Sequence, residues 1–562
     1  MRLNNTLRNY RREWLSADIS AGLIVAIVIV PQAIAYAMLA GLPPQSGLYA
    51  ALLPAVVYAL LGTSPSLAVG PVAVVSLMTL EALQEHAVPG SAEFIAMASM
   101  LALLSGLFYL IFFAIDLGRW TTFISHSVIS AFTSAAAILI LLNQIKYFTG
   151  LSIPRGEPVW QPLVSVFTHL GDIVWPALIM SLAGIILLLS WQKYSGKLGK
   201  TLGLPDAVGL IVSKSGPLLL IAGSIIITVQ LDLPLTTVGE IPAGLPAPAL
   251  PDMRHTDWQS LLPSALVIAL IGYLESLSVG NAMARQQKIR LNANQELLAL
   301  GLANLAAAIS RAYPVAGGFG RSMVNFSSGA RSQLSSLVMA AALALVCLFA
   351  TDWFVNLPNA ILGVIVALAV WSLIRFQDGW HAWKFQKSDG VIWLITFVAV
   401  LLAGAETGIL IGMLLSLALY LKRTSEPHIA EIGRVADTDH FRNVRRHKVT
   451  TCAEVMLVRV DENLYFANSQ YLQDFIAGRL RDNAGIQHVV IVGSAINHID
   501  FSGFEALSHL LDELRAQGVQ LHLAEFKGPV MDQLQQTDLL SRLAPGQLFF
   551  TASEALRTLG GR

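Results

Sequence analysis

Two charged residues stand where an apolar side chain is expected. Arg321 follows a glycine-rich break in "SRAYPVAGGFGRSMVNFSSG", and Glu275 sits in the middle of the long apolar run "LVIALIGYLESLSVGNAM". A guanidinium inside a membrane offers hydrogen-bond donors to an oxyanion, and an intramembrane carboxyl can load and unload a proton. Such groups mark substrate and proton routes by default. The structural alternative is a carboxylate and an arginine fixed by each other or by backbone. Gln32 and Tyr36, four apart after Pro31, share one helix face and are candidates to line the same cavity, with interhelical hydrogen bonding as the competing use.

Two interrupted segments would position these groups. In "GTSPSLAVGPVAVVSLMTLEAL" an extended stretch, Ser66 to Gly70, runs into Pro71 and then into helix; in the second, Ala312 to Ala316 runs through Gly317 and Gly318 into helix. Proline suits a helix's first turn and pushes the residue before it toward an extended shape. Irregular backbone at membrane depth survives only when it is buried in protein or lines a cavity. Pro71 and Gly318 lie about 247 residues apart, and the first spans of the two halves, near Ile19 and Pro263, about 244 apart, which reads as an internal duplication. Seven spans is an odd number, so the second copy is inverted. In that design half-helix N-termini aim unpaired N–H groups at a substrate near the midplane, and two facing N-termini favour an anion.

The remaining elements follow from composition. Of 562 residues 55% are hydrophobic and 13% charged, about half the charge of an average soluble domain, so much of the chain meets lipid. Lys plus Arg equals Asp plus Glu at 36 each, which gives no nucleic-acid signature. Cys347 and Cys452 supply no disulfide framework. The polytopic α-helical part covers residues 18–421 with about fourteen spans, in two halves of about 18–231 and 262–421. Residues 1–17 are a basic cytoplasmic lead to an uncleaved first span. Residues 422–439 form a linker, and 440–562 a soluble α/β domain in which β-type runs such as "HVVIVG" alternate with helical pattern. Assigning loops alternately to the two sides puts Arg2, Arg8, Arg11, Arg12, Arg119, Lys193, Lys214, Arg285, Lys288, Arg290, Arg375, Lys422 and Arg423 among those on one side. Only Lys146, Arg155 and Arg254, with Arg311 at an edge, lie on the other. The positive side is cytoplasmic, so both termini are expected there. Glu81 and Glu406, near span ends, are expected to face water. "GKLGKT" fails as a phosphate loop because its first glycine would fall at Tyr194, the histidines lack metal-ligand spacing, and no GxSxG, HExxH or CxxC occurs. An enzyme, a metal site or a cofactor is therefore not expected.

"DISAGLIVAIVIVPQAIAYAMLAGLPPQSGLYAALLPAVVYALLGTSPSLAVGPVAVVSLM", "YLESLSVGNAMARQQ" and "LGLANLAAAISRAYPVAGGFGRSMVNFSSGARSQLS" resemble the SulP family, the sulfate permease or solute carrier 26 group of anion transporters. The tail, with "HVVIVGSAINHIDFSGFEAL", resembles the STAS domain. The resemblance implies a 7+7 inverted repeat of core and gate domains as in uracil-permease-like transporters, an elevator-type movement, and a homodimer in a cell (inner) membrane. It also implies an anion site made by backbone N–H groups at Val72 and Ala73 and at Phe319, Gly320, Arg321 and Ser322, with Gln32 and Tyr36 as first-span cavity residues and Glu275 as the proton-coupling acid. Many members read Thr-Gly-Ser-Phe-Ser-Arg where this chain has Ala316, Gly317, Gly318, Phe319, Gly320, Arg321, so hydroxyl donors are missing here. Ser502, in a loop reading Asp500, Phe501, Ser502, Gly503, matches a position phosphorylated in antisigma antagonists; its structural alternative is an N-cap. Sulfate uptake with protons leads. Bicarbonate or C4-dicarboxylate transport, with Na⁺ or H⁺ or by exchange, is the alternative. An uncoupled anion channel, or a membrane regulator that binds a cytoplasmic protein through its STAS domain, is the different class.

Overall fold

The computed structural model describes residues 5–118, 125–151, 160–201, 209, 212–253, 256–436 and 438–560. Arg2, Arg119, Arg155 and Arg254, counted above for orientation, lie outside these. Two compact units divide at Leu414 and Leu415.

The first unit holds a series of fourteen membrane elements among the described residues, the last of which continues past Leu414. They are α1 (Leu15–Leu39), α2 (Pro44–Leu61), strand β1 (Val69–Gly70) with α3 (Ala73–Leu83), α4 (Ala92–Ala114), α5 (His126–Thr149), α6 (Trp175–Thr201) and α7 (Gly216–Gln230). The second seven are α8 (Leu262–Gln287), α9 (Ala293–Ile309), strand β2 (Ala316–Gly317) with α10 (Phe319–Ser327), α11 (Leu334–Phe349), α12 (Asn359–Trp371), α13 (Lys387–Ala403) and α14 (Ala405–Ser425). Eight described helices are long and apolar enough to cross a bilayer alone, and shorter apolar helices such as Ala73–Leu83 and Leu334–Phe349 complete the set. The third element of each half is the short one, as its Pro or Gly break requires.

The two breaks meet. β1 pairs antiparallel with β2, Val69 opposite Gly317 and Gly70 opposite Ala316, as expected of two copies related by inversion. Two-residue strands satisfy few backbone groups, and unpaired ones are costly in an apolar interior. Side chains take up the remainder. Ser322 Oγ accepts from Ala68 N–H at 2.9 Å, and Ser276 Oγ accepts from Gly317 N–H at 2.7 Å. Asn304 accepts from Val315 N–H and donates back to its carbonyl, at 2.9 and 3.0 Å. The Gln333 amide donates to the carbonyls of Ser64 and Leu67, and the Asn325 amide to that of Ser66. Close backbone approach fixes the first hairpin of helices too: a Cβ at Gly47 would lie 1.8 Å from the Ala33 carbonyl oxygen, so only glycine lets α2 pack on α1.

Glu81 and Glu406 do not simply face water. Both are half-buried; Glu81 accepts from Ala405 N–H at 3.0 Å, capping α14, and Glu406 accepts from the Ser264 hydroxyl at 2.9 Å. An orphan helix N–H beside a carboxylate is a better partner than bulk water at a packed helix end.

The second unit carries a six-stranded sheet in the order β4–β3–β5–β6–β7–β8, from β3 (Ile429–Arg434), β4 (Phe441–Asn443), β5 (Val455–Val460), β6 (His488–Val492), β7 (Gln520–Ala524) and β8 (Leu548–Phe549). Strands β5 to β8 run parallel, and β3 is antiparallel to both neighbours. β3 falls inside the stretch read as linker over 422–439; its alternating burial makes it part of the sheet, and the connection is correspondingly shorter. Alternate residues feed two cores: Met456, Val458, Val489 and Ile491 pack with α15 (Ser469–Asp482) and α16 (Phe501–Ala516), while Val455, Leu457 and Val490 pack with Ala552 and Ala555 of α17 (Ala552–Leu559). Asp500, not Ser502, caps α16: its carboxylate accepts from Gly503 N–H at 2.7 Å. Ser502 is the second residue of that helix and half-buried.

Candidate anion site

Val72 and Gly318 are the N-caps of α3 and α10, both with extended backbone. The first N–H bonds that turn back into the helices come from Ser76 to the Val72 carbonyl and from Ser322 to the Gly318 carbonyl. The N–H groups of Ala73 and Val74, and of Phe319, Gly320 and Arg321, therefore have no partner within their helices. This corrects one expectation: Ser322 spends its N–H on the helix and its hydroxyl on Ala68, so it positions the site rather than lining it. Pro71 lies one residue before the cap instead of in the first turn, and its carbonyl accepts from Arg321 Nη1 at 2.6 Å. The second half-helix is thereby tied to the start of the first.

The two helix starts open on one cavity of about 90 Å³, well below the roughly 300–1,000 Å³ of sites that hold drug-sized molecules. Gln32, Tyr36, Val72, Ala73, Phe319, Gly320, Arg321 and Glu275 all line it, so residues from four separate stretches of sequence converge. Val74, Ala369 and Val370 of α12, and Ser372 and Leu373 just after it line it as well. These residues carry little chemical signal beyond Ser372 at the helix end, and no charge marks them.

Arg321 is 2% exposed. With Nη1 on Pro71, its Nε and Nη2 are buried and without a hydrogen-bond partner, as is Oε2 of Glu275. The two side chains line the same cavity. Two helix N-termini and two unused guanidinium nitrogens are donors of the kind that an oxyanion can accept from. A Cβ at Gly320 would meet nothing within 4 Å, whereas one at Gly318 would press on Arg321 and Val72; glycine at 318 gives the arginine its room. Glu275 and Phe319 also line a second cavity, of about 150 Å³, together with His126, Ser130, Arg375 and Asp378, where the Ser130 hydroxyl donates to Asp378 at 2.9 Å. Asp378 and His126 carried no apolar context in the sequence to single them out.

Fold and site together define a multi-pass membrane protein built from two inverted repeats around a polar cavity, followed in sequence by an α/β domain. Residues 15–396 match the model of the sulfate permease family and residues 446–555 that of the STAS domain, and the chain belongs to the sulfate permease family. Among its relatives, probable sulfate transporter 4.2 of Arabidopsis thaliana is 35% identical over 98% of this chain and 82% of its own. A probable sulfate transporter of Mycobacterium tuberculosis is 29% identical over 99% and 97%. In fold, the chain is similar to murine solute carrier 26 family member A9, described as an anion transporter in the inward-facing state, with a TM-score of 0.89 at 22% identity over 98% of this chain and 92% of that one. The transmembrane domain of a cyanobacterial bicarbonate transporter superposes with a TM-score of 0.58 at 24% identity, covering 72% of this chain and 98% of that one.

Proposed function

We propose that this chain is a secondary active transporter of an inorganic oxyanion, sulfate first, which couples uptake to protons through Glu275 and works by an elevator-type movement of its core against its gate. The observation that carries this reading is the meeting, in one small cavity, of two half-helix N-termini, an arginine with two buried unused N–H groups, and a single carboxyl. A helix N-terminus counts as roughly +0.5 charge. With Arg321 ionised and Glu275 protonated, the cavity then offers about +2 to a dianion; ionising Glu275 lowers this to about +1, so proton and anion leave together. The second cavity beside Glu275 carries Asp378 and His126 on its wall, titratable groups outside the anion's cavity that could exchange a proton with it.

The names of relatives 35% and 29% identical to this chain favour sulfate over bicarbonate or a C4-dicarboxylate. The excess of Lys and Arg on one side supports cytoplasmic termini in a cell (inner) membrane, and the family resemblance supports a homodimer and a transporter rather than an enzyme. Ser502, in the first turn of α16, is the candidate phosphorylation site of the STAS domain, since negative charge is favoured at a helix N-terminus and would change how the domain docks a cytoplasmic partner. Thermal unfolding in neutral detergent tests the cargo. An anion that binds only the folded protein raises the midpoint with its concentration. Sulfate is expected to do so at lower concentration than bicarbonate or succinate. A midpoint that answers to bicarbonate or succinate and not to sulfate rejects sulfate as the cargo, and one that answers to no anion rejects the site.

A further inference from the structure

The α/β domain holds a second basic cavity, about 270 Å³ in volume, that anion transport leaves unused. Its walls come from His428 and Glu431 at β3, from Asn443, Arg445 and Arg446 in the turn after β4, and from Phe475 and Arg479 of α15. The turn is built to hold its arginines outward. Asn443 Oδ1 accepts from Arg445 N–H at 2.8 Å, the Asn443 carbonyl accepts from the N–H groups of Arg446 and His447, and Val444 N–H donates to the Glu431 carbonyl. Arg479 is held from the other wall: Nη2 lies 3.2 Å from Glu431, the guanidinium sits 5.8 Å from the centre of the Phe475 ring, and Nε is buried without a partner.

Charge in this cavity does not balance. Glu431 is committed to Arg479. Asp461 pairs with His428 at 2.7 Å and with Arg459 at 2.5 Å, and so leaves no carboxylate for the arginines of the turn. Among the described residues no carboxylate pairs with Arg445 or Arg446, both of them exposed. Three guanidiniums against one carboxylate, around a cavity of this size, suit an anion with several oxygens and fork-shaped recognition, as phosphate groups have. In sequence, the first residue of the cavity comes soon after the last membrane element. His428 follows the end of α14 at Ser425 by three residues, a reach of at most about 11 Å, comparable to the distance over which surface charge is felt in physiological salt.

From this geometry we infer that Arg445, Arg446 and Arg479 form a binding site for a phosphate group, carried either by an anionic lipid headgroup or by a soluble phosphate. The test uses the full-length protein in neutral detergent, titrated in one arm with dihexanoyl phosphatidylglycerol against dihexanoyl phosphatidylcholine and in the other with inorganic phosphate. Amide hydrogen exchange over residues 440–448 and 475–480 reports occupancy at this cavity and not at the transport site. Both segments are expected to exchange more slowly with ligand. Arg445→Gln/Arg446→Gln, at two exposed positions, should weaken that protection about 30-fold, each basic side chain near an anionic surface contributing roughly fivefold. Protection by phosphatidylglycerol alone assigns the site to lipid, and protection by inorganic phosphate assigns it to a soluble ligand; either supports the site. No protection in either arm, or equal protection of the double variant, overturns it. Arg479→Lys, which keeps the charge near Glu431 but loses the fork, should weaken binding while the unfolding midpoint holds.

Discussion

Replacing Arg321 with glutamine separates binding from folding. The guanidinium gives one bond to the fold, Nη1 to the Pro71 carbonyl at 2.6 Å, while Nε and Nη2 are buried with no protein partner. Losing the Pro71 bond leaves a carbonyl short of a donor and costs about 1–3 kcal/mol. Against this, the variant no longer buries a charge with two unmet N–H groups, a penalty of several kcal/mol in the wild type. The two terms oppose, so the unfolding midpoint without anion should stay level or rise. Binding has no such compensation. Two charge-assisted hydrogen bonds at about 1.5–3 kcal/mol each put the loss at roughly 3–6 kcal/mol, which raises Kd by about 10²- to 10⁴-fold. The assay is thermal unfolding across a sulfate titration. At a concentration about 100 times the wild-type Kd, sulfate stabilises the wild type by about 2.7 kcal/mol; the variant, with Kd at least 100-fold higher, gains about 0.4 kcal/mol or less. A variant that keeps the wild-type sulfate response refutes the arginine as a ligand. One that unfolds without anion far below wild type shows that its role is structural.

Three further predictions rest on separate contacts. Ser322→Ala strands the Ala68 N–H, bound by Ser322 Oγ at 2.9 Å, and should cost about 1–3 kcal/mol in unfolding free energy; sulfate should bind more weakly because the strand crossing that aims both helices loosens. Gly47→Ala drives a Cβ to 1.8 Å from the Ala33 carbonyl oxygen, a backbone clash between α1 and α2 that should cost more than about 3 kcal/mol and show as loss of folded protein on size-exclusion chromatography. His522 is wholly buried in β7, with Nδ1 accepting from Gln547 N–H at 3.0 Å and Nε2 facing His488 at 3.2 Å. Burial first, then His488, pushes its pKa down to about 4. The unfolded chain binds this proton at its ordinary pKa and the folded chain does not, so the stability His522 contributes is intact above about pH 6.5 and is lost as pH falls toward 4, by about 3 kcal/mol. Unfolding of the α/β domain followed by hydrogen exchange between pH 7 and 4 checks this. His522→Asn, which keeps an acceptor for Gln547, should flatten the dependence.

Much of this architecture was legible because each membrane element declares itself locally, through apolar length or through a Pro or Gly that a plain span would not tolerate. The duplicated spacing of the two breaks then forced the inversion that the antiparallel pairing of Val69 with Gly317 displays. Arg321 and Glu275 stood out for being charged in apolar surroundings. What the sequence hides is mostly the partner that folding brings up, in several cases from more than 200 residues away. Glu296 is an example: its carboxylate accepts from the Tyr58 hydroxyl at 2.8 Å and from Thr63 N–H at 2.6 Å, joining the two halves, yet in sequence it is one more acid at a helix start. Ser322 and Ser276 look like small polar fillers until the strand backbone that they satisfy is seen. Glu81 and Glu406 turn inward to neighbouring helix ends, which proximity to a span end does not reveal. Ser502 was weighed as a cap, but the neighbouring Asp500 is the better acceptor for Gly503 N–H.

The central claim is that Glu275 couples a proton to the anion held between the two half-helices. Its most direct test is uptake of labelled sulfate into proteoliposomes under an inward proton gradient, comparing wild type with Glu275→Gln. The wild type should concentrate sulfate only while the gradient lasts, and the variant, with a permanently neutral group in the cavity, should equilibrate or exchange sulfate without concentrating it. Gradient-driven accumulation by the variant at the wild-type level would contradict the account.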